Sequence, residues 1–240
     1  MDYLNYGKEK LKDLPTTGVG VYIEPFPHLI VENFYDEKEL ELIWEELNFY
    51  TKPGKLLEPK DYFGVVDKTN AHALSLDSLY VDHSSNGSVN YRSISNILST
   101  TRKVFDCGIL KAYTKINDCC ILGDKCDKDF TKVRYYHHGE YYKPHTDGGF
   151  HTLAFSYFYK KPKSFIGGEL YFPKYDYEIS SLNNSFIIFP GWVRHGVKKV
   201  KISNSDYYKG FGRYAVTQFL VSTPWREEIN RNISTKNFTD

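Results

Sequence analysis

The 240-residue sequence predicts a mainly β protein with a core of antiparallel strands and helices packed outside that core. From Asp129 onward, short aromatic and β-branched runs alternate with Gly, Pro, Asn and Lys. This pattern is typical of a β-sandwich or β-barrel. Before that point, two stretches carry apolar residues at helical spacing. The length suits a single domain over residues 1–240, with a helical and loop-containing flank over about 20–128 and the β core over about 129–222.

The flank begins with a short apolar strand from Pro25 to Phe34, and the chain then carries the signals of a helix start. Asp36 is a suitable N-cap and Glu39, three positions later, completes a capping box. Tyr35 before the cap and Leu40 inside the helix are spaced as a hydrophobic staple. The first helix is therefore expected directly after Asp36.

A second helix is expected over about 93–105, where one face is apolar. The residues of that face are Ile94, Ile97, Leu98, Thr101, Val104 and Phe105. The stretch between the helices, from Lys52 to Asn90, is polar and long for a plain connection. It is expected to hold strands, a lid or a loop that faces a substrate.

Six runs in the second half predict the strands of the core. They are FTKVRYY, TLAFSYFYK, ELYFPKY, SFIIFPG, RHGVKKVKI and RYAVTQFLV. Gly167 and Gly168 are interpreted as a tight turn between strands, because no helix pattern follows them. The polar tail after Val221 is expected to be peripheral.

Composition and charge exclude several classes of protein. With 31 Lys and Arg against 30 Asp and Glu, the net charge is +1, which disfavours nucleic acid as a partner. No apolar run approaches the roughly 18–20 residues that cross a bilayer, so no membrane span is expected. The first residues show no secretory signal, so a reduced, cytoplasmic compartment is expected.

The four cysteines of the chain are expected to be free thiols. They are Cys107, Cys119, Cys120 and Cys126. Structural zinc sites usually present cysteines two to four residues apart, whereas here two are adjacent and one stands alone. The spacing therefore disfavours a zinc site.

A candidate metal site begins at His145-Thr146-Asp147, since side chains two residues apart on a strand point to the same face. Roughly one such motif arises by chance in every two sequences of this size, and a hydrogen-bonded surface pair is the alternative. His195 follows at the head of another predicted strand. Two histidines and one carboxylate form the facial triad of non-haem Fe(II) oxygenases, which leaves metal positions open.

The open coordination positions of the metal would take a co-substrate and dioxygen. A further residue that binds anions is therefore expected near the metal. Arg213 stands in an otherwise apolar strand, GFGRYAVTQFLV, where an unpaired guanidinium would be costly to bury. Its planar fork matches a carboxylate with two hydrogen bonds. The alternative is an arginine on a solvent-facing strand position.

The order of these motifs resembles the 2-oxoglutarate- and Fe(II)-dependent dioxygenases, specifically the prolyl 4-hydroxylase-like branch. It runs RYYHHGEYYKPHTD, GGELYF, FPGWVRHGV and GRYAVTQFLV, so the resemblance covers about 133–221. The resemblance implies a double-stranded β-helix, or jelly roll, with flanking helices. It also implies that His145, Asp147 and His195 are catalytic residues that bind Fe(II).

Further site residues follow from the same resemblance. Arg213 would bind the distal carboxylate of 2-oxoglutarate, and Tyr136, nine residues before His145, would hydrogen-bond the same co-substrate. Tyr157 is a second candidate for that task, and Tyr142 would face the substrate.

The implied reaction uses O2 to decarboxylate 2-oxoglutarate to succinate and to hydroxylate a C–H bond, with ascorbate as reductant. A prolyl residue of a peptide or protein is the expected substrate. The alternatives are another side chain, a free amino acid, a small metabolite, or a jelly-roll module that binds metal without turnover.

Two departures from the family pattern are visible in the sequence. Arg213 lies eighteen residues after His195, farther than the pattern places its basic residue. The polar insertion over about 201–211 is therefore expected to form a longer hairpin. Phe219, six residues after Arg213, stands where the nucleic-acid demethylase branch carries a second arginine, which disfavours that branch.

Overall fold

The computed structural model describes residues 18–50, 69–82 and 89–222, and these form a mainly β structure with flanking helices, as predicted. The strands are β1 Gly18–Tyr22, β2 His28–Glu32, β3 His72–Ser75, β4 Val81–Asp82, β5 Val89–Asn90, β6 Lys128–Tyr136, β7 Tyr142–His145, β8 Thr152–Phe158, β9 Phe165–Ile166, β10 Leu170–Phe172, β11 Tyr177–Ile179, β12 Ser185–Pro190, β13 His195–Val197, β14 Lys201–Ile202 and β15 Arg213–Val221. The helices are α1 Glu37–Tyr50, α2 Asp77–Tyr80, α3 Asn96–Thr101, α4 Lys103–Asp106 and α5 Ile109–Tyr113. No helix in the described ranges has the length and apolar character of a membrane span.

Two antiparallel sheets form the core. The larger has seven strands in the order β1-β2-β12-β8-β15-β6-β3, and the smaller has four in the order β11-β10-β13-β7. Strands of the predicted flank, β1 to β3, thus extend the larger sheet at both edges. Two further pairs, β9 with β14 and β4 with β5, lie outside these sheets.

The central strands β8, β12 and β15 of the larger sheet are buried on both faces, which explains their largely apolar composition. Along β12, Phe186 and Ile188 pack in the cluster shared with the helices, while Ile187 and Phe189 face the smaller sheet. The rings of Phe189 and Phe172 of β10 lie 5.3 Å apart between the sheets. The functional site described below lies in this space between the sheets.

Helix α1 begins as the sequence predicts. The backbone N–H of Glu39 donates to the Asp36 carboxylate at 2.9 Å, and the Asp36 N–H donates to the Glu39 carboxylate at 2.8 Å. These reciprocal bonds satisfy two N–H groups that have no partner within the helix. The capping box is therefore confirmed.

The second predicted helix is divided, and one residue of its apolar face is placed differently. A 3₁₀ turn over Arg92–Ile94 precedes α3, whose N-cap is Ser95. Since the helix begins only after Ser95, Ile94 lies outside it and is 68% exposed, so its predicted place on the apolar face of the helix is wrong. The other residues of the face, from Ile97 to Phe105, are buried or partly buried.

Glu46 of α1 joins α1 to α3 through a buried carboxylate. It accepts hydrogen bonds from the Ser95 hydroxyl at 2.9 Å, the Ile97 N–H at 2.7 Å and the Tyr50 hydroxyl at 2.5 Å. Glu46→Ala would remove the buried acceptor that these donors share, so we expect the free energy of unfolding to fall by about 2–4 kcal/mol.

Urea unfolding followed by circular dichroism measures this loss. Glu45→Ala is the matched control, because Glu45 is exposed and accepts one bond from Asn96; it should change stability by less than about 0.5 kcal/mol. Equal losses in the two variants would contradict the role given to Glu46.

Part of the polar stretch from Lys52 to Asn90 forms strands, as predicted. Strand β3 pairs with β6 at the edge of the larger sheet, and β4 pairs with β5. The Thr69 hydroxyl donates to the Tyr141 carbonyl at 2.5 Å, which ties this stretch to the start of β7. Residues 51–68 and 83–88, the N-terminal residues 1–17 and the tail 223–240 lie outside the described residues.

The insertion before Arg213 does not form the predicted hairpin. Strand β14 pairs with β9 instead, and a 3₁₀ turn over Asn204–Asp206 leads to β15. The chain leaves β9 through Gly167 and Gly168, whose φ angles of 79° and 77° favour glycine. This glycine pair is the strand-joining turn predicted from the sequence.

All four cysteines are free thiols, and they differ in exposure. Cys119 is exposed, whereas Cys120 and Cys126 are buried. Burial raises the pKa of Cys120 to about 12 and that of Cys126 to about 11. Both buried thiols therefore stay protonated at neutral pH.

Candidate active site

Three potential metal ligands converge between the sheets. His145 ends β7 and His195 begins β13, and the two residues are direct antiparallel partners. Asp147 follows two residues after β7, and its carboxylate lies 3.7 Å from His145 Nε2 and 3.5 Å from His195 Nε2. One ligand atom from each side chain lies within 4.8 Å of the other two, which is close enough to hold one metal ion.

A tight turn holds Asp147, which lies beyond the strand rather than on it. The Asp147 N–H donates to the Gly191 carbonyl at 3.0 Å, and the Phe150 N–H donates to the Asp147 carbonyl at 2.9 Å. A Cβ at Gly191 would meet the Phe150 carbonyl oxygen at 2.0 Å. Glycine at 191 therefore permits the close backbone approach that places Asp147 beside the histidines.

Hydrogen bonds orient both imidazoles. His145 Nδ1 lies 3.0 Å from the Lys143 carbonyl and His195 Nδ1 lies 2.9 Å from the Val193 carbonyl, so Nδ1 carries the proton in each ring. Burial lowers the pKa of His195 to about 4, and nearby His145 adds to the effect. Neutral rings that present Nε2, together with one carboxylate, make the facial donor set that suits Fe(II).

Arg213 places a buried guanidinium in the same cavity. It begins β15, lies opposite Tyr136 of β6 and is 1% exposed, which excludes the solvent-facing alternative. Its Nε donates to the Ser181 hydroxyl at 2.7 Å, and that hydroxyl donates to the Gly168 carbonyl. The two terminal nitrogens, Nη1 and Nη2, have no hydrogen-bond partner among the described residues. A buried planar fork of this kind fits a carboxylate.

Tyrosine rings support the guanidinium. Its central carbon lies 4.2 Å from the ring centroid of Tyr157 and 4.9 Å from that of Tyr136. The Tyr157 hydroxyl is also buried without a partner among the described residues, and burial raises its pKa, so it remains a donor. A Cβ on Gly168 would meet Arg213 Cδ at 2.8 Å, so Gly168 leaves space for the Arg213 side chain.

The site opens into a cavity of about 380 Å³. Six of the seven predicted site residues line it: His145, Asp147, His195, Arg213, Tyr136 and Tyr142. Tyr157 lies against the guanidinium rather than on the cavity wall. Tyr142 stacks on the His145 ring with centroids 4.1 Å apart.

Several neighbours were not predicted from the sequence. Ser181 and Gly168 position Arg213 from distant parts of the chain, and no local motif points to Ser181. Lys132 and Arg134 line the cavity as well. Arg134 lies two residues and Lys132 four residues before Tyr136, so all three share one face of a strand. This alternation is the signal that could have revealed them.

The β core that carries the site matches a known sequence family. Residues 131–221 match the sequence model of the 2OG-Fe(II) oxygenase superfamily. No curated protein sequence matches the chain.

Solved structures show the same fold. The chain is similar to a Pseudomonas putida prolyl-4-hydroxylase, with 13% identity and a TM-score of 0.52 over 90% of this chain and 98% of that one. It is also similar to a Trichoplax adhaerens prolyl hydroxylase in complex with a hypoxia inducible factor oxygen degradation domain peptide fragment. There the identity is 15% and the TM-score 0.53, over 94% of this chain and 93% of that one.

A third similar structure is an oxidoreductase of the 2OG-Fe(II) oxygenase family from Burkholderia pseudomallei, with 12% identity and a TM-score of 0.50 over 92% of this chain and 91% of that one. Together these matches confirm the jelly-roll core and the resemblance seen in the sequence. The match to the superfamily model runs from within β6 to the end of β15. The fold of the chain is prolyl 4-hydroxylase-like.

The residues present fit both groups that this superfamily uses, Fe(II) and 2-oxoglutarate. The two Nε2 atoms and the Asp147 carboxylate face one point, as one metal ion requires. The unpaired donors of Arg213 lie in the same cavity and match the distal carboxylate of 2-oxoglutarate.

Proposed function

We propose that this chain is a 2-oxoglutarate- and Fe(II)-dependent dioxygenase that hydroxylates a prolyl residue of a peptide or protein. The observation that carries the proposal is the buried Arg213 guanidinium, whose terminal nitrogens have no partner among the described residues and lie in the same cavity as the metal-binding triad. A module that bound metal for structure alone would have no use for this unpaired charge, which is costly to bury. A co-substrate carboxylate compensates that cost.

Each residue has a role in this proposal. His145, Asp147 and His195 hold the iron, Arg213 binds the distal carboxylate of 2-oxoglutarate, and Tyr136 hydrogen-bonds the same co-substrate. When bound, Fe(II) supplies the reduction of dioxygen that is coupled to decarboxylation of 2-oxoglutarate. The protein orients the two groups and keeps water away from them.

An aromatic wall supports a prolyl substrate. Phe150 lies between Phe130 and Phe219, with ring centroids 6.3 and 4.8 Å away, and all three rings line the cavity. Such a wall suits the apolar pyrrolidine ring of a prolyl residue. Two of the similar structures are prolyl hydroxylases, and one of these holds a peptide fragment.

Succinate release tests the proposal. The purified protein would be supplied with Fe(II), 2-oxoglutarate, ascorbate and air, with and without a proline-rich peptide, beside His145→Ala. We expect metal-dependent succinate that the peptide stimulates, and a peptide product heavier by one oxygen atom. Succinate without peptide hydroxylation, or turnover on free amino acids alone, would contradict the prolyl assignment. Iron binding without succinate in any assay would favour a non-catalytic module.

A further inference from the structure

Strand β6 directs two cations into the cavity beside the triad. Alternation along the strand places Lys132 and Arg134 on the cavity face together with Phe130 and Tyr136. Arg134 is 4% exposed, although it carries a permanent charge. Two inward cations on one strand are unusual, because charged side chains seldom lie inside a protein.

The register between β6 and β15 gives the depth of each cation. Tyr136 lies opposite Arg213, Arg134 opposite Ala215 and Lys132 opposite Thr217. Each step of two residues advances about 7 Å along a strand. Arg134 is therefore one step, and Lys132 two steps, from the level of the proposed co-substrate carboxylate.

Both cations lie on the proposed path of the substrate. The guanidinium carbon of Arg134 is 4.8 Å from the centroid of Tyr142, the ring that stacks on His145. The Lys132 ammonium lies 5.3 Å from the ring centroid of Phe219, in the aromatic wall. Arg134 thus lies beside the metal site, and Lys132 lies at the wall proposed to receive the substrate.

The charges that line the cavity favour an anion there. Among the described lining residues, the cations are Lys132, Arg134 and Arg213, while Asp147 is the carboxylate. Burial lowers the pKa of Lys132, and the charge of Arg134 lowers it further. An anion near both groups would be attracted by each of them and would offset their mutual repulsion.

We propose that Arg134, assisted by Lys132, binds a carboxylate of the substrate and thereby selects targets whose reacting carbon lies within a few bonds of a carboxylate. This inference rests on the proposed function and specifies its substrate. The carboxylate could belong to an acidic residue next to the target proline, or to a small amino acid itself. Arginine suits the role because its fork forms two hydrogen bonds with a carboxylate.

Binding without turnover tests the inference. The protein loaded with Fe(II) and 2-oxoglutarate would be titrated without oxygen, by calorimetry, with three probes. These are a proline-rich peptide with Asp or Glu beside each proline, the matched peptide with Asn or Gln, and free proline. We expect one carboxylate-bearing probe to bind at least about tenfold more tightly than the amide peptide, as a charge-assisted hydrogen bond would give.

Variants identify the residues responsible. Arg134→Gln should remove the preference and Lys132→Gln should reduce it. Lys128→Gln should retain it, because Lys128 is an exposed cation on the same strand outside the cavity lining. The affinity for 2-oxoglutarate should stay unchanged in all three variants.

Each outcome decides the inference. Equal affinity of the wild-type protein for all three probes would overturn it, even if Arg134→Gln failed to fold. A preference for the carboxylate probe that survives in Arg134→Gln would overturn the inference as well. Weakened binding of 2-oxoglutarate in Arg134→Gln would also overturn it, because Arg134 would then bind the co-substrate. Preference for the acidic peptide supports a peptide carboxylate, whereas preference for free proline supports the carboxylate of a small amino acid and contradicts the peptide substrate of the proposed function. An Arg134-dependent preference without hydroxylation would contradict the proposed function alone.

Discussion

Asp147→Ala is expected to abolish metal-dependent succinate formation. The Asp147 carboxylate is the charged member of the triad and lies 3.5–3.7 Å from both histidine Nε2 atoms. Its removal leaves two neutral imidazoles, a donor set that holds Fe(II) weakly. Removing a group that merely orients a metal ligand lowers metal affinity or activity by about 10–100-fold. Removing a ligand itself should therefore lower metal affinity and kcat by more than about 100-fold.

The measurement pairs a metal titration with the succinate assay, and Asp206→Ala is the matched control. Asp206 lies in the 3₁₀ turn before β15, and the closest cation to it is Lys209 at 3.9 Å. The Asp147 side chain is 21% exposed, so its loss should leave the fold intact. Wild-type iron affinity in Asp147→Ala would contradict the assignment of this residue as a ligand.

The triad could be predicted because two of its three members are local in sequence. His145 and Asp147 stand two residues apart, and His195 begins a strand whose apolar neighbours mark it as buried. The structure supplies what spacing alone does not, which is the pairing of His195 with His145 across two strands. The turn at Gly191 then brings Asp147 to the same point.

The remaining parts of the site depend on contacts between distant residues. Ser181 holds Arg213 from thirty-two residues away, and one serine among many carries no signal of that role. The alternation of Lys132, Arg134 and Tyr136 predicts a strand, yet it does not say whether that face meets solvent or a cavity. Only the pairing of β6 with β15 settles which face lies inside.

Two elements differ from the sequence-based prediction for the same physical reason. Ile94 fits a helical apolar face, but the bond from the Leu98 N–H to the Ser95 hydroxyl starts the helix after it. The insertion before Arg213 has the polarity of a hairpin, yet β14 finds its partner in β9. In both cases local periodicity was overridden by a hydrogen-bonding partner that the pattern does not contain.

Arg213→Gln is expected to raise the KM for 2-oxoglutarate by about 10–100-fold while iron affinity stays unchanged. The guanidinium offers two unpaired buried donors to the co-substrate, and a hydrogen bond to a charged group contributes about 1.5–3 kcal/mol. Arg213→Lys should lie between the wild type and the Gln variant, because an ammonium retains the charge and loses the planar fork.

Thermal unfolding separates co-substrate binding from a structural role. A ligand that binds the native state alone raises the midpoint Tm with its concentration, so 2-oxoglutarate should stabilise the wild-type protein with Fe(II) present. Without 2-oxoglutarate, Arg213→Gln should unfold at or above the wild-type Tm, because it removes a buried charge whose terminal nitrogens have no partner among the described residues. Its Tm should no longer respond to 2-oxoglutarate at concentrations that stabilise the wild type. A lower Tm without the co-substrate would instead mean that the charge serves the fold, since the bond from Nε to Ser181 would then outweigh the cost of burying it.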